Sequence, residues 1–265
     1  MASNSMSEVD IDLRFAAGAA VCRAAGKLAL DFYRRRSEIH IENKGLQDLV
    51  SIADRASEDL IVSQLGQLFP PDGFLGEEGG RRGGEGAIWV IDPIDGTANF
   101  LRGIPFWCVS LALVVNNEVK LGFIYDPNSD ELFAAQQGKG AACNGRKMTV
   151  SSCIDPKQAR LSLGFSYRRD PKFHVAGINN LLNAGVEYSR LASGALGMAY
   201  VADGRFEGYW EKHINSWDVL AGIVLVREAG GWTNDFLSND GLTKGNEILA
   251  ATPALVKFLQ KTING

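Results

Sequence analysis

The run WVIDPIDGTANF, residues 89–100, is the most informative stretch of the sequence. It opens with an apolar segment long enough for one buried strand. Pro93 fixes its own φ and biases Asp92 towards an extended conformation, so we predict that the strand stops at a rigid corner. Gly96 then permits an unusual backbone angle, and Thr97 can begin a short helical turn. The run therefore predicts a strand, a corner and a helix start in close succession.

Two acids, Asp92 and Asp95, fall at the predicted end of this strand, just before the predicted helix start. Carboxylates suit hard cations such as Mg²⁺, and N–H groups at a helix start suit phosphate. Asp, Pro and Gly together are also what an ordinary turn uses, so a plain turn remains the alternative for a shorter motif. The complete run D-P-I-D-G-T-A-N-F resembles the metal-binding signature of the inositol monophosphatase family, whose members are Mg²⁺-dependent, Li⁺-sensitive sugar-phosphate phosphatases.

Composition and charge restrict the class of protein. The chain has 265 residues, 46% of them hydrophobic and 22% charged, as in ordinary globular proteins. Its net charge of −4 argues against non-specific nucleic-acid binding and against a basic membrane-binding surface. No apolar run approaches the roughly 20 residues that span a bilayer. The four cysteines form no C-x-x-C pair, which favours free thiols and a cytoplasmic location.

Other motifs match the same family and follow one another in its order. The family pattern K…D-x-V-[ST]-x-x-D is matched by Lys44, Asp48, Val50, Ser51 and Asp54, and its W-D-x-x-A-G pattern by Trp217, Asp218, Ala221 and Gly222. Its G-E-E pattern is matched at Glu77 and Glu78. Because adjacent side chains of an extended segment point to opposite sides, we expect only one of these two acids to be a direct ligand.

The resemblance implies a set of metal ligands and a nucleophilic water. It assigns Glu77, Asp92 and the Ile94 carbonyl to one Mg²⁺, assigns Asp92, Asp95 and Asp218 to a second, and allows a third, weaker ion through Glu77. Thr97 and Asp54 would orient and deprotonate the water, in general-base fashion. The backbone N–H groups of Gly96 and Thr97 would hold the phosphate.

The resemblance also implies a substrate pocket. Glu211 corresponds to a position that contacts a substrate hydroxyl, and Ser193, Gly194 and Ala195 lie where the family lines the sugar pocket with G-T-A. Lys44 and Glu78 are further candidates for the site. The expected substrate is myo-inositol 1-phosphate, and the alternatives are histidinol phosphate, fructose 1,6-bisphosphate and 3′-phosphonucleotides.

The expected assembly is a homodimer that binds a small phosphorylated polyol, with no membrane and no direct nucleic-acid partner. An alternative of another class is a regulatory protein that binds transcription or ribosome-assembly machinery, since bacterial relatives can do so. Several converging carboxylates favour an enzyme, and both roles can coexist in one chain.

The expected fold is α/β, a layered α-β-α-β-α sandwich of the inositol monophosphatase and fructose-1,6-bisphosphatase type. Apolar residues at spacings of three and four predict a first helix from Val9 to Arg35. Further along, we expect a glycine-rich mobile loop at 81–86, a strand from Phe206 to Trp210 and a helix N-capped by Ser216. The predicted division is a disordered leader at 1–10, a metal-site subdomain at 11–152 and a second α/β subdomain at 153–265, together forming one catalytic unit.

Overall fold

The structure is a computed structural model that describes residues 6–36, 41–45 and 48–264, with the backbone alone for 41–45, 48–51 and 264. The α-helices are α1 (Glu8–Arg34), α2 (Ile52–Leu68), α3 (Thr97–Arg102), α4 (Pro171–Asn183), α5 (Gly194–Ala202), α6 (Ser216–Glu228), α7 (Gly241–Lys244) and α8 (Val256–Asn264). The strands of the first half are β1 (Ile41–Gly45), β2 (Asp48–Ser51), β3 (Gly73–Gly76), β4 (Gly80–Gly83), β5 (Ala87–Asp95), β6 (Cys108–Val115), β7 (Glu118–Asp126), β8 (Glu131–Gln136), β9 (Gly140–Cys143) and β10 (Arg146–Lys147). Those of the second half are β11 (Arg160–Leu163), β12 (Glu187–Ser189), β13 (Gly208–Ile214), β14 (Trp232–Thr233) and β15 (Asn246–Ala251).

The larger sheet has eight strands in the order β10-β9-β8-β7-β6-β5-β3-β4, and one of its faces is covered by α1 and α2. The buried stripe of α1 includes the small residues Gly18 and Gly26, which bring the helix close to β7. A Cβ at Gly18 would lie 2.5 Å from the Phe123 ring, and one at Gly26 would lie 2.4 Å from the Tyr125 ring. The small residues that mark the helix period in the sequence therefore set the distance between helix and sheet.

The smaller sheet has five strands in the order β12-β11-β13-β15-β14, and α5 and α6 are packed between the two sheets. The opposite face of the smaller sheet is covered by α4 and α8. Here too a glycine permits close packing, because a Cβ at Gly122 of β7 would lie 2.5 Å from the Ala221 carbonyl oxygen of α6. The layers follow one another as helix, sheet, helix, sheet, helix, which confirms the predicted α-β-α-β-α sandwich.

The central strand β5 differs from its prediction. It continues through both acids to Asp95 and remains paired with β6, with a register shift between Asp92 and Asp95. Pro93 lies within that shift, where a residue without an N–H can be accommodated in a strand. The predicted stop at Pro93 is therefore wrong, because an irregularity in the strand replaces its end.

Other boundaries also differ. The segment 80–83 is the edge strand β4, not part of a mobile loop. The strand predicted to end at Trp210 runs as β13 to Ile214, so that Glu211 lies inside it. Helix α1 begins at Glu8, so the end of the predicted leader is helical. The proposed division between 152 and 153 stays a prediction.

Within the described ranges, none of the helices combines the length and apolar character needed to cross a membrane. All four cysteines are free thiols.

Candidate metal centre

Three carboxylates from distant parts of the sequence meet between the two sheets. Asp92 and Asp95 come from β5, and Asp218 comes from the first turn of α6. One oxygen of each lies within 4.8 Å of one oxygen of each of the others. Asp92 and Asp95 are buried, and Asp218 is partly buried. The structure thus brings together three of the acids predicted as metal ligands.

The turn after β5 fixes the first acid and its neighbours. The backbone N–H of Ile94 donates to Asp92 Oδ1 at 3.0 Å, and the Ile94 carbonyl accepts a hydrogen bond from Thr97 Oγ1 at 2.9 Å. Gly96 has φ of +97°, and a Cβ there would lie 3.1 Å from the Phe106 carbonyl oxygen. This turn therefore needs glycine both for its backbone angle and for its space.

Asp95 is held by the start of α5. Its carboxylate accepts hydrogen bonds from Ser193 Oγ, from the Ala195 N–H at 2.7 Å and from the Gly194 N–H at 3.3 Å. Ser193 and Gly194 also line the neighbouring cavity, as predicted for a pocket. Ala195, the third residue predicted for the pocket, is fully buried and is not among the described residues that line the cavity. Its N–H positions a carboxylate instead.

Asp218 is fixed at the start of α6. It accepts a hydrogen bond from the Asn215 backbone N–H at 3.0 Å, and Asn215 is the N-cap residue. The prediction of Ser216 as N-cap is off by one residue. The Ser216 hydroxyl donates to the Leu242 carbonyl oxygen at 2.7 Å, which attaches the helix start to α7.

The predicted general-base pair is also brought together. Thr97 Oγ1 lies 3.4 Å from Asp54 Oδ1, and Asp54 is only 1% exposed at the start of α2. Thr97 lines the cavity beside the three acids. A hydroxyl between a buried carboxylate and a carbonyl is well placed to orient a water molecule.

Glu77 and Glu78 lie in a turn between β3 and β4, not in an extended segment, so the geometry assumed for them was wrong. Glu77 nevertheless lines the cavity, and its charge raises the pKa of Asp92. Glu78 is absent from the cavity lining formed by the described residues. The side chain of Lys44 falls outside what the structure describes.

The electrostatics of the cluster favour a cation. Burial, followed by repulsion from Glu77, Asp95 and Asp218, raises the pKa of Asp92 well above its usual value. Burial and the charge of Asp95 raise the pKa of Asp218 to about 7. Burial also raises the pKa of Asp95, against hydrogen bonds that lower it. Buried like charges are unfavourable unless an opposite charge joins them, and an all-oxygen set suits Mg²⁺. The residues present therefore fit the predicted metal.

A cavity of about 730 Å³ opens beside the carboxylates. Glu211 lines it and is 6% exposed, and its Oε2 accepts a hydrogen bond from the Tyr209 hydroxyl at 2.7 Å. Burial raises the pKa of Glu211 to about 8, with further increases from Asp218 and Asp95. Glu211 therefore lies at the cavity, and its contact with substrate stays a prediction.

Several residues of the cavity were not predicted. They are Arg102, Phe165, Tyr167, Arg168, Arg190, Tyr209 and His213. Arg168 and Arg190 both line this cavity, and their charges act to lower the pKa values of Asp218 and Glu211 respectively. The adjacent arginines Arg168 and Arg169 are visible in the sequence, whereas Arg102 on α3 and Tyr209 and His213 on β13 reach the cavity only through the packing of the fold.

Comparisons with known proteins agree with this geometry. The sequence profile described as "Inositol monophosphatase family" matches residues 6–264. The chain is 43% identical to the Nus factor SuhB of Xylella fastidiosa, over 82% of this chain and 80% of that protein. It is 35% identical to the inositol-1-monophosphatase of Mesorhizobium japonicum, over 100% of this chain and 99% of that protein.

Solved structures extend the likeness to the fold. The extragenic suppressor protein suhB from Bartonella henselae superposes with a TM-score of 0.87 at 33% identity, covering 96% of this chain and 97% of that one. The inositol monophosphatase from Anabaena gives a TM-score of 0.84 at 31% identity, covering 96% of both chains. With its layered sandwich, its carboxylate cluster and a match over nearly its whole length, the chain belongs to the inositol monophosphatase family.

Proposed function

We propose that the chain hydrolyses the phosphate monoester of a small polyol with the help of Mg²⁺, and that myo-inositol 1-phosphate is its preferred substrate. The observation that carries the proposal is the meeting of Asp92, Asp95 and Asp218 beside the Thr97–Asp54 pair, at the edge of one cavity. A phosphatase needs positive charge at the phosphoryl oxygens and an activated water, and this arrangement suits both.

Asp92 is assigned as the ligand shared by two ions. Glu77 and the Ile94 carbonyl would complete the first set, Asp95 and Asp218 would complete the second, and Glu77 would hold a third, weaker ion. Bound Mg²⁺ supplies charge to the phosphoryl oxygens and lowers the pKa of a water molecule. The buried position of Asp92 among the other acids supports its shared role.

The protein residues then orient the reactants. Thr97 Oγ1 holds the attacking water, and Asp54, which lies 3.4 Å from that hydroxyl, accepts its proton. The Gly96 and Thr97 N–H groups bind the phosphate at the cavity wall. Glu211 accepts a hydrogen bond from a substrate hydroxyl, and its position two residues from Tyr209 on β13 holds it towards the cavity.

The test is phosphate release by the purified chain with and without Mg²⁺. Inositol 1-phosphate, histidinol phosphate, fructose 1,6-bisphosphate and a 3′-phosphonucleotide would be compared at equal concentration. We expect Asp95→Asn to lower turnover on the best substrate by roughly 1,000-fold, since several kcal/mol of charge stabilisation are lost and about 1.4 kcal/mol is tenfold. Asp240→Asn removes the same charge from an exposed ion pair with Lys244 and should leave turnover near that of the wild type.

Lithium gives a second readout. Li⁺ is small, hard and close to Mg²⁺ in size, so millimolar Li⁺ should inhibit more strongly as substrate concentration rises. No Mg²⁺-dependent release from any ester would overturn the proposed function. Release from fructose 1,6-bisphosphate or a phosphonucleotide, but not from inositol 1-phosphate, would overturn the substrate only, and Arg168 and Arg190 at the cavity would then be the first residues to study.

A second role is supported by the names of similar proteins. Nus factors SuhB from Xylella fastidiosa and Pseudomonas aeruginosa are 43% and 37% identical to this chain. We propose on that basis that the chain, as a homodimer in the cytoplasm, also binds transcription machinery. Interferometry with purified RNA polymerase elongation complexes of its host tests the binding, and size-exclusion chromatography with light scattering tests the dimer. An absence of binding in Mg²⁺ at micromolar concentrations would remove this role.

A further inference from the structure

One buried acid near the metal centre has no part in the proposed function. Glu58 lies on α2, one helical turn after Asp54, and is 1% exposed. Its carboxylate does not join the cluster of Asp92, Asp95 and Asp218, and instead faces the turn between β3 and β4. A buried carboxylate needs strong hydrogen-bond partners, and among the described residues those of Glu58 come from that turn and the strand after it.

The turn is shaped around this carboxylate. Glu58 Oε2 accepts from the Glu78 N–H at 2.9 Å, and Oε1 accepts from the Gly79 N–H at 2.8 Å and from Arg82 Nη2 at 2.6 Å. A Cβ at Gly76 would lie 2.3 Å from Glu58 Oε2, and one at Gly79 would lie 2.5 Å from Oε1. The glycines on both sides of Glu77-Glu78 therefore leave the space that the carboxylate occupies.

The same turn carries Glu77. Strand β3 pairs with β5 so that Gly76 lies opposite Ile91, and the Glu77 N–H donates to the Ile91 carbonyl oxygen at 3.2 Å. Glu77 thus lies beside the residue that precedes Asp92. That backbone bond fixes the start of the turn, and the two backbone bonds to Glu58 fix its other end.

Helix α2 therefore connects two parts of the site. Asp54 contacts Thr97 at the start of α3, and Glu58, four residues later, holds the Glu77–Gly79 turn. Residues four apart share one face of a helix, so a single rigid element sets the distance between these two parts. We propose that Glu58 is a positioning residue that fixes Glu77 at the metal centre and thereby sets the affinity of the protein for divalent cations. The inference rests on the proposed function, since it assumes that Glu77 is a ligand.

The experiment measures cation affinity directly, by calorimetric titration of the metal-free protein with Mg²⁺ and by Mn²⁺ binding followed by electron paramagnetic resonance. Glu58→Gln keeps the size of the side chain but turns an NH₂ group towards one of the backbone donors. Loss of a partner that orients a metal ligand typically weakens metal binding by about 10- to 100-fold, and we expect that range here. The half-saturating Mg²⁺ concentration for phosphate release should rise by the same factor, while turnover at saturating Mg²⁺ stays within about threefold.

Gly79→Ala is a second route to the same effect. Its Cβ would lie 2.0 Å from Arg82 Nη2 and 2.5 Å from Glu58 Oε1, so it would disturb the contacts of the Glu58 carboxylate and should also weaken Mg²⁺ binding. The double variant should lose less than the product of the two separate losses, because both changes disrupt one contact. Gly79→Ala also decides the question if Glu58→Gln does not fold.

Asp72→Asn is the matched control for a merely structural role. Asp72 is a buried acid next to the other end of β3, where it is paired with Arg14 away from the metal centre. It should lower stability without changing the dissociation constant for Mg²⁺. If Glu58→Gln behaves in the same way, the positioning role is wrong. If the wild-type chain binds Mg²⁺ but hydrolyses none of the esters, the proposed function fails, and the binding comparison still decides the role of Glu58.

Discussion

Asp72 and Asp92 are both buried acids beside neighbouring strands of one sheet, yet their surroundings differ. Asp72 is 3% exposed and accepts hydrogen bonds from Arg14 Nε at 2.9 Å, from Arg14 Nη2 at 2.8 Å and from Trp89 Nε1 at 3.0 Å. Asp92 is 1% exposed and is surrounded by other acids, with the Ile94 N–H as a neutral donor.

The difference separates an acid that the chain itself neutralises from a candidate metal ligand. The charge of Asp72 is balanced by the chain itself, through an arginine that approaches with two nitrogens. The charges around Asp92 repel one another and call for a cation from outside. Burial alone identifies neither role, and the sign of the neighbouring charges decides between them. Strand β5 joins the two settings, since Trp89 contacts Asp72 at one end and Asp92 lies near the other.

The largest expected change in unfolding free energy comes from replacing Asp72 and Asp92, one at a time, with asparagine. Removing one partner of a buried ion pair costs about 3–5 kcal/mol, so Asp72→Asn should lose about that much unfolding free energy. Asp92→Asn removes repulsion, so in EDTA its unfolding free energy should equal or exceed that of the wild type. Urea unfolding at pH 7 measures both variants.

In EDTA we expect Asp92→Asn to be at least as stable as the wild type, and in Mg²⁺ we expect the wild type to have the larger unfolding free energy. A ligand at 100 times its dissociation constant stabilises by about 2.7 kcal/mol, and the wild type and Asp72→Asn should both gain this amount. Asp92→Asn should gain little. Equal destabilisation by both substitutions in EDTA would show that Asp92 is a structural acid like Asp72.

Glu211 is intermediate between Asp72, which is paired with an arginine, and Asp92, which is surrounded by acids. Its side chain accepts a hydrogen bond from the uncharged hydroxyl of Tyr209. Burial raises its pKa to about 8 in the folded protein, from the ordinary value of 4.5. Because the pKa of Glu211 is higher in the folded state, its protonation stabilises the folded protein. That stabilisation is complete at pH values below the pKa of the unfolded state, and it is lost as the pH rises towards the pKa of the folded state. In EDTA, the wild type should therefore lose on the order of 3 kcal/mol relative to Glu211→Gln between pH 4.5 and pH 7, at about 1.4 kcal/mol for each pKa unit.

Urea unfolding of both proteins at several pH values gives this difference, and the carboxylate cluster, which both proteins share, largely cancels. Glu118→Gln, which removes an exposed acid beside Lys120, should follow the wild-type slope closely. If the wild type and Glu211→Gln have the same slope, Glu211 is balanced by charge as Asp72 is.

The smallest expected change in stability comes from backbone strain beside the carboxylate cluster. Ala192 has φ of +60° and precedes Ser193, which holds Asp95. A left-handed residue with a Cβ costs about 1–2 kcal/mol, and glycine removes that strain but gives a more flexible unfolded chain. Ala192→Gly should therefore stabilise the protein by about 0.5–1 kcal/mol. Differential scanning calorimetry measures the shift.

Ala184→Gly is the control, because Ala184 ends α4 with φ of −84° and gains nothing from glycine. It should destabilise the protein slightly. A loss of stability in both variants would mean that no strain is stored beside the metal centre.

The sequence was most informative where the chemistry is carried by local motifs. The family resemblance assigned Asp92, Asp95 and Asp218 to one metal ion, and the structure brings one oxygen of each within 4.8 Å of the others. The alternation of strands and helices predicted an α/β fold, and the resemblance implied the layered sandwich. Strand ends were less well predicted, since the pairing with β6 carries β5 past Pro93 against its local preference.

Contacts between residues that are distant in the sequence could not be predicted from local sequence patterns. The Arg14–Asp72 pair and the Glu58 contacts with Glu78 and Gly79 depend on how α1 and α2 pack on the sheet, and no local signal marks them. The buried Tyr209–Glu211 bond was hidden because the strand was predicted to end before Glu211.

The position of Asp218 on α6, between the two sheets, also has a consequence for how the protein matures. Asp92 and Asp218 come from opposite halves of the chain, so their meeting requires closure of a long loop, which is entropically unfavourable until most of the fold has formed. A partly synthesised chain that ends before α6 contains Asp92 and Asp95 but lacks Asp218. The three-acid cluster is therefore complete only once α6 has been synthesised and has packed between the two sheets.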